Sequence, residues 1–206
     1  MQKKFLVIIV FLFFTCQIYS QDVLPQPKLK DFIDSLYQVD QQVQQDMVTA
    51  FQKGASFDSI KIFETVEKQI FARHIPILKG IFKEYGYPTQ KIVGQESSSH
   101  FFTLIQHSDA DVEFQSKMLP IIKKQVDKKQ ANGKEYAYLY DRIQLNKGRE
   151  QLYGTQVDYD INGNAFAKNL KDKTNVDKRR TSLGMETLED YLAKVTEMHK
   201  QMNKRN

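Results

Sequence analysis

Residues 28–53 read K-L-K-D-F-I-D-S-L-Y-Q-V-D-Q-Q-V-Q-Q-D-M-V-T-A-F-Q-K. Leu29, Phe32, Ile33, Leu36, Val43, Met47 and Phe51 recur mostly three and four residues apart, the spacing of a long amphipathic helix. At about 100° per residue, Leu29, Leu36, Val43 and Met47 lie within about 40° of one another, and Phe32 and Ile33 widen the stripe. Asp40 falls inside that stripe. A carboxylate there faces the core or a cavity, and an ionised one needs a partner to offset its desolvation. Arg142 is the expected partner, and a structural ion pair is the plain alternative to a functional site.

The same periodicity continues outward. Gly54 stops the first helix, and Ser56 or Asp58 can cap the second. Ile60, Phe63, Val66, Ile70 and Phe71 form its stripe. Pro76 predicts a kink or a fresh start before Ile77, Leu78, Ile81, Phe82 and Tyr85, and Gly86-Tyr87-Pro88 ends the run. Helices are expected over 97–107, 110–129 (bent at Pro120, capped by Ser108 or Asp109) and 134–147. Asn162-Gly163, between Val157, Tyr159, Ile161 and Phe166, signals a type I′ hairpin. Asp177 opens a short helix that Gly184 can close, and Thr187-Leu188-Glu189-Asp190 starts the last helix almost as a capping box. The expected fold is mainly α: a single bundle-like domain of about six to seven helices over 28–199, with one small hairpin near 156–168.

The N-terminus carries a basic start at Lys3-Lys4, an apolar run over Phe5–Phe14, and a more polar stretch ending at Ser20. That is the plan of a secretory signal peptide over 1–20, too short to span a bilayer permanently. Cleavage is expected between Ser20 and Gln21, giving a periplasmic or secreted chain; lipidation at Cys16 fits less well, because Phe13-Phe14-Thr15 are not small. An extended lead-in over 21–27 and a basic, frayed tail over 200–206 flank the domain. Losing Lys3 and Lys4 takes 30 basic residues to 28 against 25 acids, a net charge of +3. With export, so small a charge argues against nucleic acid as a partner. The one cysteine lies in the signal, so the mature chain has no disulfide and no thiol nucleophile.

Three further sets of polar residues stand where a plain bundle needs none. His100, Thr103 and His107 make a polar stripe beside the apolar face of Phe101, Leu104 and Ile105. Helix 134–147 is apolar on two sides, with Asp141 and Arg142 among the residues of the second. The connector Gln151-Leu152-Tyr153-Gly154-Thr155-Gln156 is neutral and rich in donors and acceptors, where a merely soluble loop would be charged. It either lines a polar site or plugs the hairpin onto helix 134–147.

In order, Gln106-His107-Ser108-Asp109, Asp141-Arg142, Gln151 to Gln156, and Asp177-Lys178-Arg179-Arg180 with Gly184 resemble a bacterial family, domain-of-unknown-function family 6624. Its pattern is QHAD, DR, Q-[LI]-YG-[ST]-Q and D-x-RR-x-x-x-G-L. The resemblance takes in Asp40-Gln41, Tyr85-Gly86-Tyr87-Pro88 and Val93-Gly94, and so most of the mature chain. Gln44 stands where the family often has arginine, Ser108 replaces alanine, and Met185-Glu186-Thr187 replaces Leu-Pro-Pro. The family has no assigned activity, so the resemblance implies which positions matter, without naming the chemistry.

Those positions support three readings. The first is a small polar or anionic ligand bound among Asp40, Gln106, His107, Asp109, Asp141, Arg142, Gln151, Tyr153, Gly154, Thr155, Gln156, Arg179 and Arg180, with arginine as the bidentate anchor. The second is a hydrolase with His107 as general base, oriented by Asp141 or Asp109, and with Thr155, Ser108 or water as nucleophile. The third is a structural or interaction domain whose polar network fixes packing. His74, His100, His107 and His199 show no metal-ligand spacing, so no metal or other cofactor is expected.

Overall fold

α1 (Pro27–Gln52) follows directly from the apolar stripe: Leu29, Ile33, Leu36 and Val43 are buried on one face, and Asp40 is buried with them. In the computed structural model, which describes residues 27–203, a four-residue turn joins it to α2 (Phe57–Tyr85). The Ser56 hydroxyl caps α2 by accepting from the Ser59 amide. The expected signal peptide lies outside the described residues.

Pro76 starts no new helix, and α2 runs through it. Proline removes one N–H and leaves the carbonyl of Ala72 without its helical partner. Both residues sit on the exposed face, where water can satisfy that carbonyl, while His74, Ile75 and Leu78 are buried on the other side. Pro120 is likewise exposed inside α5 (Val112–Asp127). The cap of α5 is Asp111, whose carboxylate accepts from the Phe114 amide, rather than Ser108 or Asp109; those two belong to a tight turn leading into the helix.

A four-residue helix, α3 (Gln90–Val93), and α4 (Gln95–Gln106) share the region where one helix over 97–107 is expected. Gly94 separates them at φ +84°, a conformation that suits glycine. α6 (Gly133–Asn146) packs along α5. Residues from α1 through α6 build one apolar core around Ile33, Leu78, Phe101, Ile105, Met118 and Leu139. Ile143 is the last buried residue in it.

The chain beyond α6 forms a small hairpin, β1 (Val157–Tyr159) against β2 (Ala165–Ala167), then α7 (Val176–Ser182) and α8 (Leu188–Asn203). Eight α-helices and one antiparallel hairpin among the described residues make the fold mainly α, as the periodicity predicts. The hairpin turn differs from the expected two-residue type I′. Val157 pairs with Ala167 and Tyr159 with Ala165, leaving Asp160 to Asn164 as a five-residue loop. The Asp160 carboxylate accepts from the amides of Asn162 and Asn164, so a side chain organises the turn that the Asn-Gly pair was expected to make alone. The Thr187 hydroxyl accepts from the Asp190 amide at the start of α8, in keeping with its capping-box pattern. α8 continues through Lys200 to Asn203.

Candidate functional site

The most distinctive polar contact joins α1 to the end of α4. His107 Nδ1 lies 2.9 Å from both carboxylate oxygens of Asp40. Asp40 has no exposed surface. Gln41 Nε2 donates to Oδ2 at 2.9 Å, so the imidazole and one amide satisfy the charge. A buried anion at both oxygens assigns the ring proton to Nδ1 and leaves the lone pair on Nε2. Among the described residues no protein group hydrogen-bonds Nε2, and the side chain keeps 14% of its surface exposed. Arg142, the expected partner of Asp40, is engaged elsewhere.

α2 supplies a third wall. The Phe71 ring stacks on the imidazole of His107, with centroids 4.6 Å apart. Glu67 and His74 stand four residues before and three after Phe71, so all three share one face of the helix. Burial raises the Glu67 carboxyl above its ordinary value; the charge of His107 opposes this and that of Asp40 adds to it. Burial lowers the basicity of His74, which also feels both members of the pair. The buried Nδ1 of His74 has no hydrogen-bond partner among the described residues. Glu67 and His74 were missed as site residues because they interleave with the apolar stripe of α2, and Phe71 because it was read as part of that stripe; their separations of four and three are the signal that could have found them.

A second histidine–carboxylate contact lies further back along the same two helices. His100 Nδ1 is 2.7 Å from Asp34 Oδ1, and Tyr37 stacks on its ring at 3.8 Å. Burial opposes ionisation of Asp34, but hydrogen bonds from Lys30, Ser97 and His100 hold it at about 2. Asp34 to Asp40 on α1 matches His100 to His107 on α4, so the two helices run in the same direction.

Asp109 collects the expected anchor. Arg142 Nε donates to its Oδ1 at 2.8 Å and to Oδ2 at 3.1 Å, while Asn146 and Gln115 amides also donate to Oδ1. Burial works against ionisation, and these donors hold Asp109 below the usual carboxylate value. Arg142 and Asn146 stand one turn apart on α6 and converge on the loop before α5, which explains why Arg142 does not reach for α1. Gln106 contributes its backbone carbonyl to Gln115.

The Y-G-T-Q stretch is bound to Asp141. That carboxylate accepts from the amides of Leu152 (2.8 Å), Tyr153 (3.1 Å) and Thr155 (3.0 Å), and from the Thr155 hydroxyl (3.0 Å). Burial pushes Asp141 up and the donors pull it back, with burial the larger effect. Gln151 receives the Gln156 amide through Oε1 and donates through Nε2 to the carbonyls of Gln156 and Lys168. Gly154 sits at φ +69°, and an added Cβ would come within 2.7 Å of Leu188 Cδ1.

Both arginines of α7 hold carbonyls of the same segment. Arg179 Nε donates to Leu152 O and Nη2 to the carbonyls of Lys171 and Asp172. Arg180 is fully buried, donating to Tyr153 O and Glu186 O and lying over the Tyr191 ring at 4.9 Å. Its Nη2 has no partner among the described residues. Asp177 accepts from the Leu188 amide and so starts α8. The motif positions therefore divide into three groups: Asp40 with His107, Asp109 with Arg142, and Asp141 with the 151–156 segment and α7.

These are the positions that carry the resemblance seen in the sequence. The model of a family described as "Family of unknown function (DUF6624)" matches residues 27–202. The chain belongs to that family. Neither the curated proteins nor the solved structures contain a match to it. In this DUF6624 domain no group of three His, Cys, Asp or Glu among the described residues could hold a metal ion, and no described helix is long and apolar enough to cross a membrane.

Proposed function

We propose that the protein is an exported hydrolase, in which His107 acts as general base through Nε2 and Asp40 orients it. The observation that carries this reading is the fully buried Asp40 carboxylate with both oxygens at 2.9 Å from His107 Nδ1. A carboxylate in that position fixes the tautomer and stabilises the imidazolium formed when Nε2 takes a proton. Asp141 and Asp109, the other candidates for this role, hold the 151–156 backbone and Arg142 instead.

Water is the nucleophile. Ser108 is buried and its hydroxyl donates to Leu104 O, and the Thr155 hydroxyl donates to Asp141, so neither is free to attack. His107 Nε2 removes a proton from water as the oxygen bonds to the electrophilic centre. Glu67, on the face of α2 that carries Phe71 and with its protonated form favoured by burial, is the candidate to return a proton to the leaving group. A ligand-binding role would need Asp141, Arg142 and the Y-G-T-Q segment to face a common solute, and their polar atoms are largely engaged with the chain itself.

The test is a panel of chromogenic esters, amides, phosphates and glycosides, with the mature protein as catalyst. Turnover should fall on the order of 10²- to 10⁴-fold in His107→Gln and in Asp40→Asn, with unchanged circular dichroism. Nitrogen-15 NMR should find the neutral ring of His107 protonated at Nδ1. Turnover that survives His107→Gln, or a proton on Nε2, overturns the assignment.

A further inference from the structure

α1 and α2 form an antiparallel pair, and their facing residues can be followed away from His107. Asp40 and Phe71 both contact the imidazole, and Gln44 Nε2 lies 3.4 Å from its Nδ1. One turn beyond Gln44 come Met47 and Val48; about one turn before Glu67 on α2 comes Glu64. Those residues begin the lining of a cavity of about 320 Å³, completed by Phe51, Ile60 and, from α8, Met202. Gln52, Glu64 and His199 are its polar members.

We propose that this cavity takes the apolar chain of the substrate whose reacting group lies at His107, which makes the substrate an amphipathic molecule with a medium-length alkyl or acyl tail. The proposal rests on the role given to His107 above. Three observations carry it. The cavity lies further along the same two helices that hold the imidazole, beginning one turn past Gln44 at Met47, with Gln44 and Phe51 seven residues or about 10 Å apart. Five of its eight lining residues are apolar, and two of those are methionines, whose unbranched thioethers adapt to flexible chains. Large apolar side chains of its lining stand uncovered: Phe51 is 47% exposed and Met202 43%. Isolated exposed apolar residues need no explanation, but a group of them beside an apolar cavity marks a binding surface.

The experiment measures binding of butyrate, octanoate and dodecanoate by NMR titration, alongside turnover of the nitrophenyl esters of the same acids. Each added methylene should tighten binding about three- to fourfold until the cavity is filled. Ile60→Glu should abolish that chain-length dependence while leaving the His107 ring signals unchanged. Met47→Gln, a milder polar change at a half-buried position, should weaken it partially and guards against a variant that fails to fold. His107→Gln should lower turnover of all the esters equally and leave carboxylate binding intact. Affinity that ignores chain length, or that survives Ile60→Glu in a folded protein, overturns the cavity assignment. Ester turnover that survives His107→Gln overturns the catalytic assignment alone.

Discussion

Replacing Asp141 with asparagine separates a clasp from a ligand site. The side chain has no exposed surface and receives four donors. With the amide oxygen kept toward Leu152 and Tyr153, the new NH₂ would face the Thr155 amide at a position where both groups are donors. The Thr155 hydroxyl can turn to accept, but the Thr155 N–H cannot, and a buried unsatisfied donor costs about 1–3 kcal/mol. The two retained bonds weaken from charge-assisted to neutral, roughly 1 kcal/mol each. Removing a buried charge gives part of this back. The net loss is about 2–4 kcal/mol, a large share of the 5–15 kcal/mol typical of a domain. Urea unfolding should register it as a lower midpoint. Hydrogen exchange should locate it, with the amides of Leu152, Tyr153 and Thr155 losing protection first. A variant within about 0.5 kcal/mol of the parent would refute the clasp, and so would a loss of turnover without a loss of stability.

Gly154→Ala should destabilise the protein by about 1–3 kcal/mol, because its φ of +69° disfavours a side chain and the methyl would meet Leu188 within 2.7 Å; thermal unfolding checks this. Asp34, held at about 2 when folded against an ordinary 3.8, contributes stability that is complete above the unfolded value and is lost as pH falls through the folded one. Acid unfolding curves of the parent and Asp34→Asn should therefore differ above pH 4 and converge toward pH 2; curves that stay apart at the acid end would contradict the assignment.

Much of this was legible in the residues, and the limits are specific. The register of α1 was enough to bury Asp40, because a helix's own periodicity tells which way a side chain faces. It says nothing about which helix lies opposite, and so Arg142 was expected where His107 stands. The 151–156 segment stood out by composition, yet donors and acceptors of the same kinds serve a backbone clasp and a solute site equally well. The hairpin was located from Asn-Gly, but its geometry came from the Asp160 side chain, a contact two and four residues long that outweighs the dipeptide's preference. At Pro76 the deciding factor was exposure, which depends on packing still unknown when the proline is read.

One consequence concerns how the molecule comes apart. The apolar core ends with Ile143, whereas residues 148–187 are fastened by Asp141, Arg179 and Arg180 through main-chain amides and carbonyls. Of its apolar side chains Val176 and Met185 are buried, far fewer than in the main core, so its opening should respond less steeply to urea than global unfolding and precede it. Because α8 follows that region and carries Met202, such a release would also strip one side from the cavity between α1 and α2. Occupancy there and the persistence of the distant clasp should then rise and fall together.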